Sequence, residues 1–257
     1  MNPQNPVRIM NDKVSIVVPV YNAEDCISDT IMSVLKQSYN EYELLLVDDS
    51  STDNSRGIMA GFLSDRVRMI ENTEAKGAAG ARNSGIGEAT GRYIAFLDAD
   101  DLWDPDKLTR QVRFMKEKDA AFSYTGYEFA DERGRGLGKI VRVPETITYR
   151  EALKNTTIFT STVMFDMNLL HKEDILMPYV KSEDTATWWK VLKKTETAYG
   201  LDESLTLYRR MGKSLSSNKL EAIRRIWNLY RKTEKLGLLY SIYCFCNWAV
   251  RAVARRV

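Results

Sequence analysis

The stretch Tyr93-Ile-Ala-Phe-Leu-Asp-Ala-Asp-Asp-Leu-Trp103 constrains the fold more than any other part of the chain. Tyr93 to Leu97 is a short apolar run with the composition of a buried strand. It stops in three acids, Asp98, Asp100 and Asp101. Trp103, Asp104 and Pro105 then read as the start of a helix, with Asp104 as cap and Pro105 in the first helical position. A cluster of acids therefore sits where a central strand leaves its sheet. In open α/β sheets that edge is where ligands bind. Like charges this close repel unless something positive joins them, and a hard divalent cation carrying phosphates does so through carboxylate and phosphate oxygens. The Asp-Ala-Asp spacing alone does not separate a metal site from an ordinary acidic strand end.

The rest of the first half repeats the pattern. Val14–Val20 and Tyr42–Asp48 are continuous apolar runs, hence buried strands, and the second also ends in acids, Asp48 and Asp49. A helix from about Glu24 to Gln37 carries Ile27, Ile31, Val34 and Leu35 at helical spacing, and a second starts at Ser51-Thr-Asp53 with Asp53 as cap. Val67–Glu71 is a short strand, and Gly77–Ala89 is a helix rich in small residues. Strands and helices alternate, which predicts a parallel sheet covered on both faces.

After a helix over Asp104–Lys118 the order changes. Ala121–Ala130 and Lys139–Val143 flank a glycine-rich turn and read as a hairpin. Tyr149–Asn155 is a short helix, Phe159–Phe165 a strand, Lys181–Thr195 a helix and Thr197–Tyr208 a strand. Lys219–Lys235 and Leu238–Arg255 are two terminal helices. Residues 1–217 are thus read as one domain, with a nucleotide-type half over 1–103 and a mixed extension over 104–217 that would line the other side of a cleft. Residues 218–257 form basic amphipathic C-terminal helices.

Several chemistries are disfavoured. The single histidine, His171, has no catalytic partner in sequence, which argues against a Ser-His-Asp mechanism or a histidine metal cage. The three cysteines, Cys26, Cys244 and Cys246, give no disulfide framework and fit a reducing compartment. Met1 to Lys13 is polar, without the apolar core of a signal peptide, so a cytoplasmic location is expected.

Four motifs taken in order are specific. Val14-Ser-Ile-Val-Val-Pro-Val-Tyr-Asn22, Leu46-Val-Asp-Asp-Ser-Ser-Thr-Asp53, Gly80-Ala-Arg-Asn-Ser-Gly85 and Tyr93 to Trp103 together resemble the family 2 glycosyltransferases of bacterial polysaccharide synthesis. The resemblance covers Lys13 to about Ser217. It implies the GT-A fold: a Rossmann-like, nucleotide-diphospho-sugar transferase α/β fold with a mixed central sheet. It implies an inverting, metal-dependent transfer from a nucleotide sugar, most simply a UDP-sugar, to a lipid-linked or saccharide acceptor. Pro19, Tyr21, Asn22, Asp48 and Asp49 would hold the base and ribose, with Asp49 as the acceptor for a uracil N–H. Arg82 and Asn83 would face the donor, with Arg82 reaching the pyrophosphate or uracil. Asp98, Ala99 and Asp100 match the Asp-x-Asp motif, in which Asp100 would hold Mn²⁺ or Mg²⁺ and Asp98 the ribose or the same ion. Asp101 would hold the sugar or cap the next helix.

In the second half, Ser182-Glu-Asp-Thr-Ala-Thr-Trp-Trp189 resembles the family's Glu-Asp motif followed by aromatics. Asp184 is the expected base and Glu183 the group that orients it or binds acceptor. Trp188 lies four residues on, on the same helical face, as a ring for an acceptor sugar. Tyr208-Arg-Arg-Met-Gly-Lys-Ser-Leu-Ser216 resembles a segment that closes over the donor phosphates, with Met211 where relatives carry His and Arg209, Arg210 or Lys213 as electrostatic replacements. Transfer to a polyisoprenyl phosphate, and a non-catalytic nucleotide-sugar-binding subunit, are the alternatives.

Charge is uneven. Leu205 to Val257 carries twelve Lys and Arg against Glu221 and Glu234, hence +10, which leaves −8 for the remainder of a chain of net charge +2. Leu236 to Val250 has no charge and falls short of the about 20 apolar residues needed to span a bilayer. A basic amphipathic surface lying peripherally on the anionic inner face of the cell membrane is expected. The competing reading packs these helices on the catalytic domain or on a second subunit, as a homodimer. No recognition motif points to nucleic acid.

Overall fold

The computed structural model describes residues 12–210 and 219–254. The described strands join into one ten-stranded mixed sheet. Its parallel part is built from β1 (Val14–Val20), β2 (Tyr42–Asp48), β3 (Val67–Glu71) and β4 (Tyr93–Phe96), in the spatial order β3-β2-β1-β4. Alternate residues of each strand serve opposite faces, as strand geometry demands. Val14, Ile16, Val18 and Val20 point with Tyr93, Ala95 and Leu97 into one core. Val17 points with Ile94 and Phe96 into the other. Both faces are covered, which is why these strands read as unbroken apolar runs.

The first core is closed by α1 (Ile27–Leu35), α2 (Ser55–Ala60) and α4 (Lys107–Lys118). Against the second core lies α3 (Ala78–Glu88). Gly85 lets α3 sit directly on the sheet: a Cβ there would meet Val17 Cγ1 at 2.4 Å and Val47 Cγ2 at 3.1 Å.

The second half continues the same sheet. It contains β5 (Leu102–Trp103), β6 (Phe122–Ala130), β7 (Gly136–Val141), β8 (Thr146–Thr148), β9 (Met164–Asp166) and β10 (Thr197–Arg209). β9 runs antiparallel between β4 and β6, and β10 lies parallel to β6. Helices α5 (Tyr149–Ala152), α6 (Lys172–Ile175) and α7 (Glu183–Thr195) accompany them.

Two expectations change here. Trp103, Asp104 and Pro105 do not open a helix. Leu102 and Trp103 pair with Leu207 and Thr206 as an edge strand, and α4 begins only at Lys107, with Asp106 rather than Asp104 at its cap position. Phe159–Phe165 is not one strand either. It is a 3₁₀ turn over Thr160–Thr162 followed by the three residues of β9.

The C-terminal part comprises α8 (Lys219–Asn228), a π-helical stretch over Leu229–Thr233, and α9 (Leu238–Ala254). It docks on α5 and α7 and the residue after α5. The Tyr230 ring stacks on Trp189 with centroids 5.4 Å apart, its hydroxyl donates to the Leu153 carbonyl, and Glu234 takes the Tyr149 hydroxyl and Lys193. The outer face stays open. Leu239, Ile242, Tyr243, Cys246 and Val250 follow helical spacing and are all exposed, Leu239 at 84%. Among the described residues no helix is long and apolar enough to cross a membrane.

Candidate active site

The acid-bearing strand end, the start of α7 and α3 meet at one place, joined through Arg82. β4 delivers Leu97 into the core and leaves Asp98, Ala99 and Asp100 half-exposed. The loop is pinned from behind, because Thr30 Oγ1 donates to the carbonyls of Ala99 at 2.7 Å and Asp101 at 2.9 Å. Burial, and then the like charge of Asp98, push the Asp100 carboxyl up to about 6. This is the electrostatic signature of a site that a cation would relieve. Among the described residues no cluster of three or more potential ligands occurs, so the protein offers a carboxylate pair. Such a pair suits Mg²⁺ or Mn²⁺, ions that take one or two carboxylates and draw further ligands from water and substrate phosphates. The residues present therefore fit the implied metal.

Asp101 is corrected. It is fully buried, so it neither meets a sugar nor caps α4. Ser161 Oγ donates to its Oδ2 at 2.5 Å and the Arg209 N–H to its Oδ1 at 3.2 Å. It is a strut between the acidic loop, the 3₁₀ turn and the end of β10. Burial and its acidic neighbours push its carboxyl far up.

The residues that sequence reasoning missed are Thr160 and Ser161. Ser161 Oγ also accepts the Asp98 N–H at 3.1 Å, and its carbonyl accepts Trp103 Nε1–H at 2.7 Å. Thr160 Oγ1 donates to Asp184 Oδ2 at 3.2 Å. Consecutive residues of one turn thus touch both the acidic loop and the expected base. The signal available was Thr160-Ser-Thr162, three hydroxyl residues in succession, all buried, where a half-buried strand would alternate.

Helix α7 begins at the site. Ser182 takes a left-handed conformation, φ 60°, turning the chain so that Glu183 and Asp184 stand at the first turn, both half-exposed. Negative charge is favoured there by the helix dipole. Burial, and then Asp184, push the Glu183 carboxyl up. Trp188 is corrected: at 2% exposure its ring packs against Phe96, Phe122 and Phe165 and does not face an acceptor. Trp188→Ala should therefore cost about 3–5 kcal/mol of stability. Urea unfolding measures this, and an effect confined to acceptor KM would return the ring to the cleft.

The expected base-binding residues lie at the ends of β1 and β2. Tyr21 is half exposed, with Lys76 Nζ 4.7 Å from its ring centroid, and Pro19 is partly buried just before it. Asn22, at φ 48°, accepts the Thr52 N–H at 2.8 Å. Asp48 takes Arg56 and the Ser51 N–H, while Asp49 takes Asn72 at 2.6 Å and the Gly77 N–H at 2.8 Å. Both carboxylates hold the loops that frame this end of the cleft.

Arg82 and Asn83, expected to face the donor, are both buried, with the Arg82 terminal nitrogens and the Asn83 amide bonded to protein. Arg82 donates to Asp98 Oδ1 at 2.6 Å and Glu183 Oε1 at 3.0 Å, and Asn83 pairs with the Met177 backbone. At the end of β10, Arg209 is buried and ion-paired with Asp29, and just beyond it the Arg210 guanidinium lies 4.1 Å from the Phe129 ring centroid. Met211 and Lys213 lie outside the described residues.

A parallel nucleotide-type half, a mixed extension of its sheet, and acids from both halves at one cleft define a GT-A glycosyltransferase. Solved structures agree on the fold. S. aureus TarS 1–349 in complex with UDP-GlcNAc superposes with a TM-score of 0.71 at 23% identity, covering 94% of this chain and 73% of that one. The mannosyltransferase PcManGT of Pyrobaculum calidifontis, in complex with GDP-Man and Mn²⁺, gives 0.68 at 19% identity, covering 95% and 74%. The family profile of glycosyl transferase family 2 matches residues 15–175, and the chain belongs to that family. TuaG of Bacillus subtilis, named as a glycosyltransferase of teichuronic acid biosynthesis, is 44% identical over 247 residues, 95% of this chain and 97% of the relative. WfgD of Escherichia coli, a UDP-Glc:α-D-GlcNAc-diphosphoundecaprenol β-1,3-glucosyltransferase, is 42% identical over 243 residues, 94% of each chain.

Proposed function

We propose that this glycosyltransferase moves a sugar, with inversion, from a UDP-sugar to a lipid-linked saccharide at the inner face of the cell membrane. The observation that carries the reading is the Thr160-Ser161 turn, which holds the Asp98 backbone on one side and the Asp184 carboxylate on the other. A leaving-group site and a base are thereby fixed relative to each other, as in-line displacement requires. The near full-length relationship to a UDP-glucose-dependent enzyme with a diphosphoundecaprenol-linked acceptor supports the substrate classes.

In this reading Tyr21 covers the base, Asp49 and Asp48 serve base and ribose, and Pro19 and Asn22 shape the pocket. Asp98 and Asp100, with Ala99 between them, would hold Mn²⁺ or Mg²⁺. Bound there, the ion offsets the charge that grows on the departing diphosphate. Asp184 takes the proton of the acceptor hydroxyl as its oxygen attacks the anomeric carbon, and the electrons of the broken glycosidic bond leave with UDP. Glu183 orients the acceptor side. Release of UDP from a panel of UDP-sugars, with Mn²⁺ and a diphospholipid-linked sugar, tests this directly. Transfer that is indifferent to added metal and to the lipid-linked sugar would overturn it.

The open face of α9 is the membrane contact of this proposal. The exposed Arg231 and Lys235 precede α9 in sequence and Arg251 lies within it, and basic residues with an apolar face are the pairing that binds anionic lipid surfaces. Glutamates at Leu239 and Val250, 84% and 70% exposed, should release the protein from anionic vesicles in co-sedimentation while soluble UDP-sugar hydrolysis persists. High salt should weaken wild-type binding as well. Unchanged sedimentation would move the contact elsewhere or leave the face to a second copy of the chain.

A further inference from the structure

Arg82, Asn83 and Ser84 are consecutive on α3 and reach different walls of the cleft. Ser84 Oγ donates to Asn72 Oδ1 at 2.9 Å and accepts the Thr73 N–H at 3.0 Å, in the loop after β3. Asn83 binds the Met177 backbone in both directions, its Nδ2 donating to the carbonyl at 2.9 Å and its Oδ1 accepting the N–H at 2.7 Å. Arg82 sends one terminal nitrogen to Asp98 in the donor half and the other to Glu183 in the acceptor half. Its side chain is 6% exposed, and its Nε has no partner among the described residues.

A buried ion pair is a weak source of stability, because desolvation offsets its Coulombic gain. The arrangement is better explained by what it links. Asp98 and Glu183 share one cation. Whatever neutralises Asp98 frees that cation for Glu183, and whatever neutralises Glu183 tightens the guanidinium on Asp98. We propose that Arg82 is a positioning residue that couples donor loading to the acceptor side. A cation carrying the donor diphosphate takes Asp98, Arg82 then belongs to Glu183, and the first turn of α7 with Asp184 is fixed for the acceptor. By linkage, acceptor binding tightens the donor by the same factor. The inference rests on the proposed metal at Asp98 and Asp100.

Calorimetry of UDP with Mn²⁺ tests it, because the expected signs oppose each other. Arg82→Met removes a competing positive charge, so UDP with Mn²⁺ should bind more tightly, by a factor on the order of 5–150, while turnover with acceptor falls. Arg82→Lys keeps the charge but cannot bridge both acids, so donor affinity should return towards wild type without restoring turnover. Glu183→Gln should weaken UDP with Mn²⁺, although in the proposed reading Glu183 stands on the acceptor side. That weakening should shrink in the Arg82→Met background, which separates relay through Arg82 from plain loss of negative charge. Weaker or unchanged donor binding in Arg82→Met, or a Glu183→Gln effect that survives in full without Arg82, would overturn the coupling. Wild-type protein whose UDP binding ignores Mn²⁺ would remove the metal reading first, and the coupling with it. Glu183→Gln alters a half-exposed group, so it remains informative if the Arg82 variants fold poorly.

Discussion

Asp184→Asn should lose about 10²–10⁴ in transfer rate while keeping near-native affinity for UDP with Mn²⁺. An acceptor hydroxyl is a poor nucleophile at neutral pH, and the cleft offers few groups able to take its proton. His171 stands at the N-cap of α6, and Glu183 is already held by Arg82. Asp184 is half-exposed at the first turn of α7, aimed by the Thr160 hydroxyl and the Thr185 N–H. Asparagine keeps its size; its one oxygen can still accept the Thr185 N–H and its amide N–H can donate to the Thr160 hydroxyl, so the helix start should survive. A normal melting temperature with normal donor binding would show that only proton transfer is lost. Stopped-time assays with the lipid-linked acceptor provide the readout. Transfer within a few-fold of wild type would place the base on Glu183 or on an acceptor that arrives already ionised.

Asp100→Asn should reduce UDP affinity in Mn²⁺ to its metal-free level without destabilising the protein. No described cation pairs with Asp100 at salt-bridge distance, whereas Asp98 shares Arg82. Burial and the charge of Asp98 already make ionised Asp100 costly, which is why its carboxyl is pushed up to about 6. The sign follows. An acid whose folded pKa is raised weakens the fold once the pH exceeds its unfolded value, so a neutral amide should leave the melting temperature equal or higher. It removes one of two charged oxygen donors from an ion that needs them. Calorimetry with and without Mn²⁺ separates the two effects. Metal-dependent UDP binding that survives in Asp100→Asn would sink the assignment, and a lowered melting temperature would contradict the electrostatic account.

The sheet was legible because burial on two faces leaves a plain mark. Val14–Val20, Tyr42–Asp48 and Tyr93–Phe96 are apolar runs that end in turn or acidic residues, and they lie where those runs do. The acids at the cleft were legible for the complementary reason, since charge at the end of an apolar strand has to face something. What could not be read was which polar group reaches which across long sequence separations. Asp101 has the same composition-level signature as Asp100, yet Ser161 and Arg209, far away in sequence, bury it. Trp188 shares the face of Asp184 by helical spacing, but Phe96, Phe122 and Phe165 come from three different strands to cover it. Leu102 and Trp103 became a strand because Thr206 and Leu207 arrive to pair with them. Local propensity has no access to such partners.

Gly85 has a consequence for how this scaffold can diversify. The residue immediately follows Arg82, Asn83 and Ser84, and its missing side chain is what lets α3 rest on Val17 and Val47. The contact acts as a shim of zero thickness. Adding one methyl group would lift the helix, and the three preceding side chains would shift as a set, carrying with them the grips on Asn72, Met177, Asp98 and Glu183. Overpacking of this kind typically costs about 1–3 kcal/mol, which a stable domain tolerates. The spacing of the groups that α3 grips is therefore adjustable from the buried side of the sheet.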